Sequence, residues 1–318
     1  MHATKELCSV DDGVLNLKKE AGWTSHEVVA KLRQILGKVK VGHGGTLDPM
    51  ATGVLPVLVG RGTRIAEYLV EWEKEYHAVL RLGEATDTQD ATGTVTARRS
   101  TKAVTDDAIH QVVSRFHGPV EQLPPMYSAV KVGGVPLYRA ARAGKTIPRS
   151  TRMVTIHHLD VLDIQGHDVT LRVVCSKGTY VRTLCADIGE ALGVGGHLAA
   201  LVRTRVGPLS IDQALTIEEI TRHHASGRLG QDLYTMKFVL ERFPCVEVDD
   251  PTAGRVKHGV PVSAERLAHA EGATSTGVKR GTPIRIQDCR GQLLAIGSYS
   301  DRHPDTLRID KVLAAQDA

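Results

Sequence analysis

The stretch Gly42-His43-Gly44-Gly45-Thr46-Leu47-Asp48-Pro49-Met50-Ala51-Thr52-Gly53 decides how the rest of the chain is read. Its four glycines and one proline describe a tight path on which backbone and ligand can approach closely. It carries a single carboxylate, Asp48, and the proline that follows biases that residue toward an extended backbone. Spacing alone favours the plainer reading, an Asp-Pro turn with the glycines serving sterics. The rest of the chain has to decide between the two.

Before the loop, Gly13 to Lys18 has the pattern of a short strand, and Thr24 with Glu27 three residues on forms a capping box. Val28, Val29, Leu32, Ile35 and Leu36 follow at helical spacing, and Gly37 ends the helix. After the loop come the apolar run Val54 to Val59 and a strand pattern at Tyr76 to Leu82. Thr105 to Phe116 and Tyr180 to Leu192 read as helices, and Val169 to Cys175 as a strand. Leu123 to Pro148 is rich in proline and glycine and has no sustained period. It reads as a long loop or insertion, helical near Leu137 to Ala143. From about residue 246 the chain turns β-rich. Pro283 to Gln287 and Leu293 to Tyr299 form a hairpin around Asp288-Cys289-Arg290-Gly291, and Thr306 to Val312 follows. Two domains are expected, 1–245 and 246–318, in line with about 150 residues per domain.

Composition excludes several classes. With 42% apolar and 24% charged residues, the chain is neither disordered nor a polyelectrolyte. Its apolar runs fall far short of the ~20 residues of a membrane-spanning helix. The N-terminus lacks the apolar segment of a secretory signal. Five cysteines, an odd number with no C-x-x-C spacing, suit a reduced, cytoplasmic protein. The 40 Lys and Arg against 36 Asp and Glu give only +4, yet the excess belongs wholly to residues 1–245, which hold 30 against 26. Fifteen cations fall in four acid-free stretches: 28–47, 122–159, 169–186 and 191–211. That distribution predicts a local positive field and a polyanion partner. Twelve aromatic residues are too few for an extended stacking platform. Gly144-Lys145-Thr146 lacks the earlier glycine and strand of a phosphate loop. The His26-Glu27 start of a zinc-protease helix lacks its second histidine, and no G-x-S-x-G occurs. No metal and no cofactor are expected.

Six segments, in order, then resolve the loop: Gly13–Lys19 (GVLNLKK), Gly42–Pro56 (GHGGTLDPMATGVLP), Lys74–Tyr76 (KEY), Gly83–Gly93 (GEATDTQDATG), Pro124–Lys131 (PPMYSAVK) and Cys175–Arg182 (CSKGTYVR). Together they resemble the bacterial tRNA pseudouridine-55 synthase family, commonly called TruB, over essentially the whole chain. The resemblance implies an α+β fold. Its catalytic core has a mixed, largely antiparallel central sheet flanked by helices, and a small C-terminal β-rich PUA-like domain follows. It implies isomerisation of one uridine in the T loop of tRNA, with the N1–C1′ bond replaced by C5–C1′ and no redox change or hydrolysis.

By the same resemblance Asp48 is the catalytic carboxylate and Arg182 its guanidinium partner. Tyr76 stacks on the target base and is placed to help remove the C5 proton. Tyr180 and Leu201 line the uracil pocket, and His43 enters the T loop as the uridine leaves. Residues 122–159 match an insertion that folds over the tRNA arm, so its six cations, Lys131, Arg142 and Lys145 among them, are expected at phosphates. Two departures stand out. Glu20 follows Lys19 where the family commonly has proline, which leaves Lys19 outside the expected site. Gly44 occupies a position often Thr, Ser or Ala, and a more flexible loop is expected there. The expected partner is the tRNA T arm, with no membrane, and the expected state a monomer. A non-catalytic tRNA-binding or folding protein, and a synthase acting on another RNA, remain as alternatives.

Overall fold

The computed structural model describes residues 12–128, 130–267 and 278–315. A ten-stranded mixed sheet forms its body. Its main path runs Leu233–Tyr234, Gly13–Lys19, Thr52–Val59, Gly196–Val206, Lys74–Leu82, Asp168–Cys175, Arg152–Gln165, Gly118–Gln122. Neighbours pair antiparallel except Thr52–Val59 with Gly196–Val206, where Val202 meets Thr52 and Arg203 meets Gly53.

Alternation along the strands builds the layers. Leu15, Leu17, Leu55 and Val57 face the helix Ser25–Leu36 and bury against Val28, Leu32 and Leu36. That helix begins with the expected capping box: Thr24 Oγ1 accepts Glu27 N–H, and Glu27 Oε2 accepts Thr24 N–H at 2.7 Å. Val14, Val54 and Leu58 face the other way, toward Tyr68, Trp72 and Phe243. Tyr76, Ala78 and Leu80 pack with Leu184, Cys185 and Ile188 of the helix Val181–Ala191.

Residues 152–159, expected within the insertion, lie instead in the sheet strand Arg152–Gln165, paired with Gly118–Gln122, and the segment between these two strands has little regular structure. A two-residue hairpin, Lys131–Val132 with Val135–Pro136, leads into a short helix, Leu137–Arg142, anchored by buried Leu137 and Ala140. A second, five-stranded sheet holds Cys245–Val248, Ile284–Asp288, Leu293–Ser300, His303–Val312 and Val262–Ser263 around its own apolar cluster. The expected turn is present, with Asp288 Oδ1 accepting the N–H groups of Arg290 and Gln292. This sheet is fused to the body: Ile296 and Leu313 bury with Val14, Val54 and Phe243, while Arg61 and Arg64 donate to the carbonyls of Leu313 and Val312.

The parallel pairing demands a glycine. Gly53 has φ +102°, and a Cβ there would collide with the backbone of Arg203. Gly22, at φ +85°, has open space around it. Gly53→Ala is therefore expected to cost about 2–4 kcal/mol in urea unfolding, against about 1 kcal/mol for Gly22→Ala. Equal costs would show that close strand approach is not what requires glycine at 53.

Candidate active site

The glycine-rich loop is tied to the central strand by one side chain. Arg203, 2% exposed, donates Nε–H to Val54 O at 2.7 Å, Nη1 to Thr46 O at 3.2 Å and Nη2 to Gly45 O at 3.3 Å. The loop is clamped from its other side as well. Lys19, 1% exposed, donates Nζ to the carbonyls of Glu20, Trp23 and Pro49. Burial pushes the Lys19 ammonium down to about 8, with the Asp48 charge opposing. The structure thus brings Lys19 to the back of the Asp48 loop, where the sequence reading had left it out. Ser25 Oγ accepts Leu47 N–H at 2.9 Å, and Ala51 N–H closes onto Asp48 O. A Cβ at Gly44 would press on Leu69, so glycine here answers a close contact rather than a need for flexibility.

Asp48 is held out of this loop against Arg182. Arg182 Nε lies 2.9 Å from Asp48 Oδ2, and Nη2 donates to Oδ1 at 3.3 Å, a two-point grip. The same guanidinium reaches Asp90 Oδ2 at 3.4 Å and donates to Tyr127 O and Thr88 O. Asp90 is fixed in turn: its Oδ1 accepts Thr88 Oγ1, Thr92 Oγ1 and Thr92 N–H. Arg182 is almost wholly buried, whereas Asp48 keeps 36% of its side chain open. Burial raises the Asp48 carboxyl above its ordinary pKa and Asp90 adds to the rise, while Arg182 and Lys19 pull it down.

Tyr76 lies directly across from Arg203 in the sheet and is 9% exposed. Burial raises its phenol to about 12 despite Arg203, so the hydroxyl is protonated at neutral pH. Leu201 and Tyr76 share one apolar cluster with Leu47 and Ala51, the residues flanking Asp48. Tyr180 caps the helix that carries Arg182 and is held by Gln122, which accepts its N–H and donates to its carbonyl. His43 ends the strand Val41–His43, half-buried. Its pKa is lowered by burial first, then by His26 and Arg203. Asp48, Arg182, Tyr76 and Leu201 thus converge, with Tyr180 and His43 on the elements beside them.

Residues 33–181 match the model of the TruB family pseudouridylate synthase N-terminal domain, and residues 182–240 that of the tRNA pseudouridylate synthase B C-terminal domain. A tRNA pseudouridine synthase B of Pseudomonas aeruginosa is 42% identical over 304 residues, 95% of this chain and 96% of that protein. One of Symbiobacterium thermophilum is 49% identical over 261 residues, 81% of this chain and 85% of that protein. This chain belongs to the TruB family of pseudouridylate synthases. In three dimensions it resembles a solved Cbf5-Nop10-Gar1 complex, with TM-score 0.77 and 32% identity over 96% of this chain and 86% of that one. An H/ACA RNP bound to a substrate RNA containing 2′-deoxyuridine matches at TM-score 0.73 and 29% identity, again over 96% of this chain and 86% of that one.

The TruB fold also corrects the charge reading. Cations segregated along the sequence are rejoined to acids across the sheet. Arg172 pairs with Glu75 and Asp160, Lys177 with Glu71, Arg205 with Glu73 and Glu75, and Arg182 with Asp48 and Asp90. Glu71, Glu73, Glu75 and Asp90 come from the acid-rich stretch 67–90. In the insertion Arg149 donates to Pro124 O and Ile147 O, closing the segment's base. Lys131, Arg139, Arg142, Lys145 and Arg152 are exposed and ion-paired with no described residue. The positive surface is therefore narrower than the sequence suggested and keeps two parts, the insertion and the segment 31–40, where Lys31, Arg33, Lys38 and Lys40 are exposed and ion-paired with no described residue. Arg203, Gln122 and Asp90 were missed as site residues. Asp90 lies inside the quoted motif at 83–93, and a carboxylate in a motif with three threonines was a usable signal.

The opposing influences on Asp48 have a direct readout. Carbon-detected NMR titration should place the Asp48 carboxyl above about 3.9, the ordinary aspartate value. Arg182→Gln removes the main opposing cation and should move it further up. Asp90→Asn removes a like charge and should move it down. A downward shift in Arg182→Gln would overturn this account.

Proposed function

We propose that this chain isomerises uridine 55 in the T loop of tRNA to pseudouridine, with Asp48 as the catalytic carboxylate. The observation that carries the reading is the two-point Asp48–Arg182 pair, standing beside the Tyr76–Leu201 cluster on a loop that is fixed from both sides. The reaction needs no net electron or group donor, because the uracil leaves and rejoins the same ribose. It needs a group that stabilises the detached sugar or base, a pocket that retains the uracil while it turns, and removal of the C5 proton. An ionised Asp48 can attack C1′, add to C6 or abstract a proton on a glycal route. Arg182 keeps it ionised and aimed in all three.

The Tyr76 ring and Leu201 supply an apolar face for the base, and Tyr180 lies on the neighbouring wall. With its phenol protonated, Tyr76 holds the base and needs a base of its own, or a developing charge near its oxygen, before it takes the C5 proton. His43 occupies the space the uridine vacates, which offsets a flipping cost of a few kcal/mol. Lys131, Arg142 and Lys145 contact phosphates of the T arm, and the C-terminal β unit contacts the tRNA away from the loop. The reading carries with it a cytoplasmic location and action as a monomer. In its favour, the four described cysteines are free, and no helix among the described residues is long and apolar enough to cross a membrane.

Two experiments test it. Tritium release from tRNA carrying 5-tritiated uridine should be rapid with the wild type and essentially absent with Asp48→Ala, with tRNA binding retained. Release by the variant at the wild-type rate would sink the assignment of Asp48. Changing Arg142 and Lys145 together to alanine should weaken tRNA binding and lower the slope of log K against log salt by about one to two units. An unchanged slope would remove the insertion from the interface.

A further inference from the structure

Beside the site, His26 and His43 form a ring pair that the chemistry above does not use. Their centroids lie 5.4 Å apart with planes at 78°, an edge-to-face arrangement. His43 is held on its own side by the strand it ends and by Gly45 N–H, which reaches its Nδ1 at 3.4 Å and favours the tautomer with the proton on Nε2. The remaining freedom of the ring is rotation about its side-chain bonds, and the group packed against it there is His26. His26 is the second residue of the capped helix Ser25–Leu36, so its backbone is rigid. It is exposed, and its ring makes no hydrogen bond or ion pair with a described residue. An exposed imidazole whose ring contact is another imidazole at the mouth of the site does little for stability. It does fix an angle.

We propose that His26 is a positioning residue for uridine flipping: its ring props the His43 imidazole at the angle from which His43 fills the space the uridine leaves. The proposal rests on the role given to His43 above. The titratable and charged groups that face His43 are His26, from the helix, and Arg203, from the central strand. Both disfavour a second cation, so the pair works with His43 neutral. A phenyl ring at position 26 keeps the edge-to-face contact and removes the titratable neighbour, whereas alanine removes both. That difference separates packing from charge.

The test compares His26→Ala, His26→Phe, His43→Ala and the double alanine variant, using single-turnover tritium release at saturating enzyme and tRNA binding measured separately. His26→Ala should slow release about three- to tenfold, the scale of a lost edge-to-face contact, with tRNA affinity within about twofold of wild type. His26→Phe should recover most of the rate, and the double variant should be no slower than His43→Ala. By NMR, the His43 imidazole should titrate at higher pH in His26→Phe than in wild type, because a neighbour that opposed its protonation is gone. Multiplicative slowing in the double variant would mean that His26 acts independently of His43, and would overturn the proposal. A silent His26→Ala beside an impaired His43→Ala removes His26 alone. Wild-type speed in His43→Ala removes His43 from flipping and the proposal with it, a distinguishable result.

Discussion

A guanidinium denied water must find acceptors inside the protein, and in this fold Arg203 finds them in the carbonyls of Gly45, Thr46 and Val54. That requirement shapes the candidate site. The three acceptors lie on the two arms of the glycine-rich loop, so satisfying one buried cation fixes the loop at both ends. Gly53 makes the approach possible, because any side chain there would strike the Arg203 backbone. Lys19 repeats the device from the opposite side by holding Pro49 O. Between these two clamps the chain has one route, and Asp48 lies on it.

Clamping solves position but worsens electrostatics. Withdrawal of solvent favours the neutral carboxyl, and burial does raise the Asp48 pKa, with the Lys19 ammonium opposing. Arg182 counters this, though it serves two carboxylates. Asp90, hydrogen-bonded by Thr88 and Thr92, takes the far side of the guanidinium and fixes its plane. The same Asp90 charge pushes the Asp48 pKa upward. Orientation of Arg182 is thus obtained at the expense of some of the ionisation that Arg182 provides. A buried ion pair is rarely a net source of stability. A triad that works against itself in this way is better understood as serving chemistry than as serving the fold.

How much of this was legible follows from where the information lies. The helix Ser25–Leu36 was readable because its cap, apolar spacing and terminal glycine are local in sequence. The hairpin at 284–300 was readable for the same reason. The strand Gly196–Val206 was not, although it lies at the centre of the sheet. Bulges at 198/200 and 203/205 break its alternation, and Arg203 stands where a core strand is expected to be apolar. Asp48, Tyr76 and Arg182 were legible only through motif resemblance, since they meet by tertiary pairing of distant segments. Charge was the most misleading layer. Counting acid-free stretches treated Arg172, Arg182 and Arg205 as surface cations, whereas antiparallel pairing sets Arg172 and Arg205 beside Glu75, and the helix Val181–Ala191 brings Arg182 to Asp48.

The pairing of those cations separates two tasks that the sequence left mixed. The central sheet uses its arginines internally, to fix the loop and ionise the carboxylate, and has little unpaired charge left for a polyanion. Cations with no acidic partner among the described residues stand instead at Lys31, Lys38 and Lys40 and on the insertion, whose short helix is anchored by Leu137 and Ala140 while Lys131, Arg139, Arg142 and Lys145 stay exposed. The two tasks touch at one place: Tyr127, in the insertion, accepts a hydrogen bond from Arg182 through its carbonyl. Gln122, where the insertion begins, holds Tyr180, two residues before Arg182, by both backbone groups. Any movement of the insertion on binding a polyanion therefore acts on the guanidinium that orients Asp48. In physical terms, the segment that carries these exposed cations is joined by hydrogen bonds to the guanidinium that grips Asp48.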